Sequence, residues 1–337
     1  MTNHSRSCHR LFRRAPDSRF ATFDDLAFHC RQVRHTSRYC WETPARLTIT
    51  RDLKLVIADA ELALNDWSFG QLCGLAGLDK GTLNRLTPRM ASQVLQRMLP
   101  PTDRPWEILA TWGTVRAIHA LSYAPLWNNE LISVLREFAA LWRPPLPNSL
   151  ESSNLFCGEQ DMFCFLIDSA GSVEIENEEF VPGVVAWNSE VGRRPLGIQA
   201  FWYQRGCRNH LLWDPLFTVP RVRKHIGDVR QGLDQIGRVI EALERRRSER
   251  RDEFVRVVRK AQRLRLGRQG DEVLLRLLNL GVAPRLARRA LDSTLSEGRL
   301  TIFGVAEALT RLSQSQTYVA ERTALDTMAA SLLALAD

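Results

Sequence analysis

The residue types best suited to chemistry lie close together in one stretch. Between positions 201 and 225 the chain interleaves Trp202, Tyr203 and Trp213 with Arg205, Arg208, Arg221, Arg223 and Lys224. Cations spaced along a chain can track a phosphate backbone, and flat rings can stack on unpaired bases. Strand alternation would put Phe201 and Tyr203 on one face and Trp202 on the other, so the same rings also read as a core strand. A second group of cations, Arg246, Arg247, Arg250 and Arg251, follows downstream. Of the 46 Lys and Arg residues, 42 are arginine, the cation that contacts phosphate bidentately and stacks on bases.

Other constellations point to less. Ser189 and His210 have the types of a nucleophile and a base, but no Gly-x-Ser-x-Gly elbow surrounds the serine. Glu174, Glu176, Glu178 and Glu179 read either as oxygen ligands for a divalent cation or as the wet face and turn of an edge strand. Histidines and cysteines gather in the first 40 residues without a Cys-x-x-Cys pair, and the neighbours Cys8–His9 and His29–Cys30 are poor chelates. There is no Walker-type loop and no Gly-x-Gly-x-x-Gly. The expectation is no catalytic residue, no metal and no cofactor. Cys73, Gly77 and Leu83 have helix-turn-helix spacing, with a recognition helix from about Lys80 to Arg89 presenting Lys80, Thr82, Asn84 and Arg85 to a major groove. Core packing of two short helices explains the same spacing.

The elements that must hold these residues follow from periodicity. Residues 1–44 read as a basic N-terminal extension, mostly irregular. Residues 45–220 read as an α+β core, mixed and mainly antiparallel with flanking helices, and residues 221–337 as an all-helical C-terminal region. Alternation predicts strands at 46–58, 106–122, 163–167, 173–175, 181–187 and 196–204, with Asp168–Gly171 as a hairpin turn. Helical spacing predicts helices at 67–78, 82–86, 88–99 and 129–141. From Val229 to Leu264 a heptad seam is apolar except at Arg247 and Arg250, where the helix bends, leaves its partner or meets something acidic.

Charge is uneven along the 337 residues. Segments 1–50 and 205–265 carry +5 and +9, residues 51–204 carry −6, and the remainder is neutral. Two basic segments around an acidic body suggest a polyanionic partner. No apolar run is long enough for a membrane span, and no secretory signal opens the chain, so the expected location is cytoplasmic with reduced thiols.

Several segments carry a family resemblance. They are Trp67-Ser-Phe-Gly-Gln-Leu-Cys73, Val115-Arg-Ala117, Asn188-Ser-Glu-Val-Gly192, Cys207-Arg-Asn209 and Ile302-Phe-Gly-Val-Ala-Glu-Ala-Leu-Thr310. Together they resemble the phage/plasmid-like proteins of domain-of-unknown-function family 932 over about residues 50–335. The resemblance implies a mobile-element setting, and its outline is similar to phage single-strand annealing recombinases. The expected function is then binding or annealing of single-stranded DNA by a homo-oligomer without a nucleotide cofactor. The alternatives are a helix-turn-helix duplex binder or regulator, and a protein that antagonises host defence through protein contacts. The turn Asn188, Ser189, Glu190 and Gly192 reads as a scaffold turn or a ligand-facing loop, with Glu190 pairing Arg193 or Arg194.

Overall fold

Seven consecutive buried residues, Met162–Asp168, run through the middle of the molecule. A strand covered on both faces reads as an unbroken apolar run rather than as alternation. Met162, Cys164 and Leu166 enter one core here, and Phe163, Phe165 and Ile167 enter another. The computed structural model describes residues 11–145, 154–206, 209–211 and 229–336.

In chain order the first part holds β1 (Ser18–Phe20), α1 (Phe23–Thr36), β2 (Ser37–Glu42), β3 (Thr48–Ile49), β4 (Leu55–Ile57), β5 (Ala60–Leu64), α2 (Asp66–Leu75), α3 (Lys80–Leu83), α4 (Pro88–Met98), β6 (Trp106–Thr111), β7 (Thr114–His119) and α5 (Asn128–Glu137). The centre holds β8 (Trp142–Arg143), β9 (Leu155–Cys157), β10 (Met162–Asp168), β11 (Val173–Ile175), β12 (Glu178–Asn188), β13 (Gly197–Gln204) and β14 (Asn209–Leu211). Then come α6 (Val229–Arg245), α7 (Arg247–Arg263), α8 (Gly270–Asn279), α9 (Pro284–Ser296), α10 (Ile302–Ser313) and α11 (Val319–Ser331).

The strands form two sheets. One has the order β1-β9-β10-β12-β13-β14, with β8 on β10 and β11 on β12, and is antiparallel throughout. The other runs β2-β6-β7-β5-β4-β3, with one parallel pair, β5 on β7. The fold is α+β: a mixed, mainly antiparallel β core flanked by helices, followed by a helical C-terminal region.

Four expectations are corrected. The N-terminal segment is structural from Ser18 on: β1 pairs with β9, and β2 pairs with β6 along its whole length. Between them Thr22 and Asp25 form a capping box that starts α1, whose face of Leu26, Ala27, Cys30 and Val33 is buried. A boundary at residue 44 would cut through both sheets. The boundary at 220 is equally permeable, because Ile236, Ile240 and Leu243 of α6 share a core with β10 and β12.

Asp168–Gly171 is not a hairpin turn. The Asp168 carboxylate accepts from the Ala170 N–H at 3.1 Å and holds a one-turn 3-10 corner, so β10 and β11 both pair with β12 rather than with each other. The hairpin closes instead at Glu176 and Asn177, both at positive φ.

The helix-turn-helix spacing marks a real turn but no recognition helix. Cys73 and Leu83 are buried and Gly77 has φ +69, yet α3 stops at Leu83 after four residues. Asn84 is buried, and its side-chain amide bonds both the N–H and the carbonyl of Phe12.

The heptad seam divides at Arg246, whose φ of −99 and ψ of 16 separate α6 from α7. The apolar positions of α6 pack beside α5 against the eight-stranded sheet. Phe254, Val257 and Ala261 of α7 pack with α10, Phe180 and Trp202.

Candidate functional site

The segment after β12 turns inward and ties the two sheets together. The Asn188 side-chain amide donates to the Leu126 carbonyl at 2.8 Å and to Asn128 Oδ1 at 2.9 Å. Ser189 Oγ donates to the Gln160 carbonyl at 2.6 Å and accepts from the Arg193 N–H. Tyr123 donates its hydroxyl to the carbonyls of Ser189 and Glu190, and Trp67 donates from its indole to Val191. Gly192 at φ +74 closes the turn, a conformation that glycine adopts without a Cβ penalty.

Glu190 is buried, and its carboxylate accepts from Arg116 Nη1 of β7 at 2.7 Å and from the Asn128 N–H at the start of α5 at 2.9 Å. A cation and a helix N-terminus together compensate a carboxylate removed from water. Burial alone would lower the Arg116 pKa, but the neighbouring Glu190 carboxylate holds it raised. Pairing of Glu190 with Arg193 or Arg194 is corrected. Both arginines lie past Gly192, where Arg194 binds Asp161 at 2.8 Å and Arg193 lies over the Trp67 ring. Ser189, with its hydroxyl occupied in both directions, is part of this scaffold; the His210 side chain lies outside the described residues.

Glu190 and Arg116 also form the inner wall of a cavity of about 330 Å³ at the seam between the sheets. His29 and Cys30 of α1, Cys157 of β9, Asn128, Glu159 and Trp112 share its lining. The neighbouring Cys30 and His29 pull the Cys157 pKa down against the effect of burial, while the Cys30 thiol donates to Met162 Sδ at 3.9 Å. The hydrogen bond with Cys157 pushes His29 up. Burial and Cys157 push the Cys30 thiol up, and Asn128 Nδ2 lies 3.8 Å from Cys157 Sγ. Of this set the sequence reading singled out only Glu190 as a site residue. His29 and Cys30, poor as a chelate by spacing, both face Cys157, which is distant in sequence. Among the described residues no group of three His, Cys, Asp or Glu side chains is placed to hold a metal ion.

The expected stacking rings are core. Trp202 is wholly buried, with Phe254 stacked on it at 4.0 Å and 10°, and Tyr203 is buried beside Val319. Neither offers a face to a base, because helices α7 and α11 cover the two sides of β13. Trp213 lies outside the described residues, as do Arg208, Arg221, Arg223 and Lys224. Arg205 is half exposed and pairs with Glu179 at 3.3 Å.

The second arginine group is largely committed within the molecule. Arg250 is buried, its guanidinium 6.0 Å from the Trp202 ring centre. Arg247 binds the buried Asp168 at 2.5 Å. The exposed Arg246 and Arg251 pair with Glu249 and Asp252.

Another basic face lies further along, in which Arg256 is held by Glu253. Arg256, Arg259, Lys260 and Arg263 occupy the side of α7 opposite its buried stripe of Phe254, Val257, Val258 and Ala261. Arg265 and Arg268 follow, and all six cations are exposed. Among the described residues the guanidinium groups of Arg259, Arg263, Arg265 and Arg268 bond no carboxylate, while the Arg268 N–H donates to Glu272 at 2.8 Å. The signal was present in the sequence: residues 254–270 hold six cations and no acid. A second basic feature is a groove lined by Arg13, Arg14, Lys80 and Arg85, in which Lys80 also pairs with Asp66 at 2.8 Å.

Among the described residues no helix is long and apolar enough to cross a membrane. Comparison with protein-family models, with curated proteins and with solved structures finds no match.

Proposed function

We propose that this protein binds single-stranded nucleic acid through the basic face of α7 and its continuation to Arg268. The observation that carries the reading is the exposed, acid-free run of six cations between residues 254 and 270. Arg256 to Arg263 spans about 10 Å of helix at 1.5 Å per residue. Four of the arginines have guanidinium groups without a carboxylate partner among the described residues. Such a row neutralises successive phosphates and releases their counterions on binding. The resemblance to phage/plasmid-like proteins adds the proposed setting, strand annealing by an oligomer in a mobile element. Annealing needs no nucleotide hydrolysis, so the reading calls for no phosphate loop. The duplex-reading alternative loses its support, since the proposed recognition helix ends at Leu83 and Asn84 is occupied by Phe12.

The test is fluorescence anisotropy with labelled single-stranded and duplex oligonucleotides, titrated through salt, with a complementary strand added last. The wild type is expected to prefer the single strand, bind with a steep salt slope and speed pairing. Replacing Arg259, Arg263, Arg265 and Arg268 by alanine should flatten the slope by about 3, from ~0.7 per lost phosphate contact on a single strand. Affinity at low salt should fall by roughly one to two orders of magnitude while the thermal midpoint stays unchanged. Equal affinity of this variant and the wild type would overturn the assignment.

A further inference from the structure

The cavity between the sheets has a mouth unlike its floor. Trp112 is 64% exposed and Phe28 is 59% exposed, and both line a shallow depression that shares His29 and Trp112 with the cavity. Large apolar side chains left in water beside a polar pocket mark surfaces that meet a ligand.

The backbone at Trp112 makes its position more informative. Trp112 and Gly113 are the two-residue corner between β6 and β7, with φ of 47 and 75. Both central residues at positive φ is the pattern of a type I′ turn, where asparagine or glycine is favoured first. The hairpin sets this backbone, as it does at Ala58–Asp59 and Glu176–Asn177, and a bulky ring is the costlier occupant of such a corner. The residue is therefore unfavourable twice over, in strain and in exposure, at the rim of a cavity.

The floor supplies edge-reading groups. Glu159 accepts the Ala15 N–H through Oε1 at 3.2 Å, while its Oε2 is buried without a hydrogen-bond partner. Burial pushes the Glu159 pKa up, against the lowering pull of the Ala15 N–H. Cations adjoin the cavity as well. The groove of Arg13, Lys80 and Arg85 is lined by Arg14 and Asp66, whose chain neighbours Ala15 and Asn65 line the cavity.

We propose that this cleft receives one unpaired nucleobase, stacked on Trp112 and Phe28 with its edge toward Glu159, and that the adjoining cationic groove takes the attached phosphate. The inference rests on the single-strand reading above and deepens it by adding a base-dependent subsite to a phosphate-dependent surface. The nucleobase could belong to a strand or to a free nucleoside monophosphate, and the experiment separates these.

Three probes are compared by anisotropy and competition: a labelled twelve-residue oligonucleotide, an abasic strand of the same length, and free nucleoside 5′-monophosphates. Trp112→Asn is the main variant, since asparagine suits this turn and its thermal midpoint should equal or exceed that of the wild type. Phe28→Ser is the second variant. The wild type should prefer the intact strand over the abasic one by about tenfold, the scale of one stacked base. Trp112→Asn should bring the two toward parity, whereas the four-arginine variant should weaken both alike. If the wild type binds intact and abasic strands equally, or Trp112→Asn keeps the preference, the cleft inference fails while the phosphate surface stands. Monophosphate binding that is lost in Trp112→Asn, with no strand binding at all, would keep the cleft and overturn the single-strand reading. Binding of no probe would overturn both.

Discussion

The two halves of α7 are equally rich in arginine, yet they put it to different uses. In the first half Arg247 and Arg250 sit on the inward side, one on the buried Asp168 and the other against Trp202. Arg246 and Arg251, flanking them, are answered by Glu249 and Asp252. In the second half Arg256 meets Glu253, Arg259 and Arg263 face water, as do Arg265 and Arg268 just beyond the helix, and the inward positions are Phe254, Val257, Val258 and Ala261. Density of positive charge does not separate a structural arginine from one available to a polyanion. Position relative to the apolar stripe and the presence of acids within one turn do separate them. An arginine that interrupts a stripe is drawn into the core, and one on the opposite side with an acid nearby is neutralised.

The sharpest way to break this contrast is to truncate Arg250. It is among the largest fully buried side chains, and its stem and guanidinium fill space beside Trp202 and Phe254. Arg250→Ala should cost about 2–4 kcal/mol in denaturant unfolding, the range for a large side chain lost from a core. Arg250→Met, which keeps most of the volume and removes the charge, should recover most of that loss. Nucleic-acid affinity per folded molecule should be unchanged in both variants. A stable Arg250→Ala that binds weakly would place Arg250 with the second half of the helix.

Much of the architecture was legible because burial leaves a local pattern. The run Met162–Asp168 announces a strand covered on both faces, and the seam from Val229 to Leu264 announces helix with a fault at Arg247 and Arg250. The fault is where α6 ends and α7 begins. What the pattern could not convey was the partner: the two parts of the seam enter different cores. The first 44 residues were illegible for a related reason. Strand β1 is three residues long, and its register, Ser18 opposite Cys157, is set by a segment far away in the chain. The cavity was hidden in the same way, since His29, Arg116, Cys157 and Glu190 come from α1, β7, β9 and the turn after β12. Glu190 and Arg116 fell in visible segments, but nothing in either segment said that they meet. Trp202 and Tyr203 were visible as an aromatic strand, and alternation alone could not say that both faces of β13 are covered.

Arg247 is expected to give an intermediate effect. Its side chain is 30% exposed, and Asp168 behind it is 2% exposed. Arg247→Ala removes the cation but leaves the buried carboxylate, among the described residues, with the Ala170 N–H, at a cost of about 1–3 kcal/mol. Asp168→Asn in the same background should restore part of the loss, because an amide is cheaper to bury than an unpaired carboxylate. A double-mutant cycle by urea unfolding measures the coupling, expected to be about 1 kcal/mol. Strict additivity would mean that the 3-10 corner at Ser169–Gly171 does not depend on the pair.

The smallest effect belongs to Arg246. Its guanidinium meets Glu249 one turn away at 2.9 Å, with both side chains about half exposed. An exposed pair of this kind gains little Coulomb energy in water and loses side-chain freedom, so Arg246→Ala should change unfolding free energy by only about 0–0.5 kcal/mol. Removing the arginine also exposes Glu249, whose pKa the hydrogen bond with Arg246 had lowered, to a nearby basic surface. A negative charge freed there works against an incoming phosphate. If electrostatics across α7 is continuous, Arg246→Ala should weaken single-strand binding slightly, and Arg246→Ala with Glu249→Gln should restore it. If the two halves are independent, anisotropy titrations of both variants will superimpose on the wild type at every salt concentration. That outcome would confine the phosphate-binding surface to the stretch beyond Phe254.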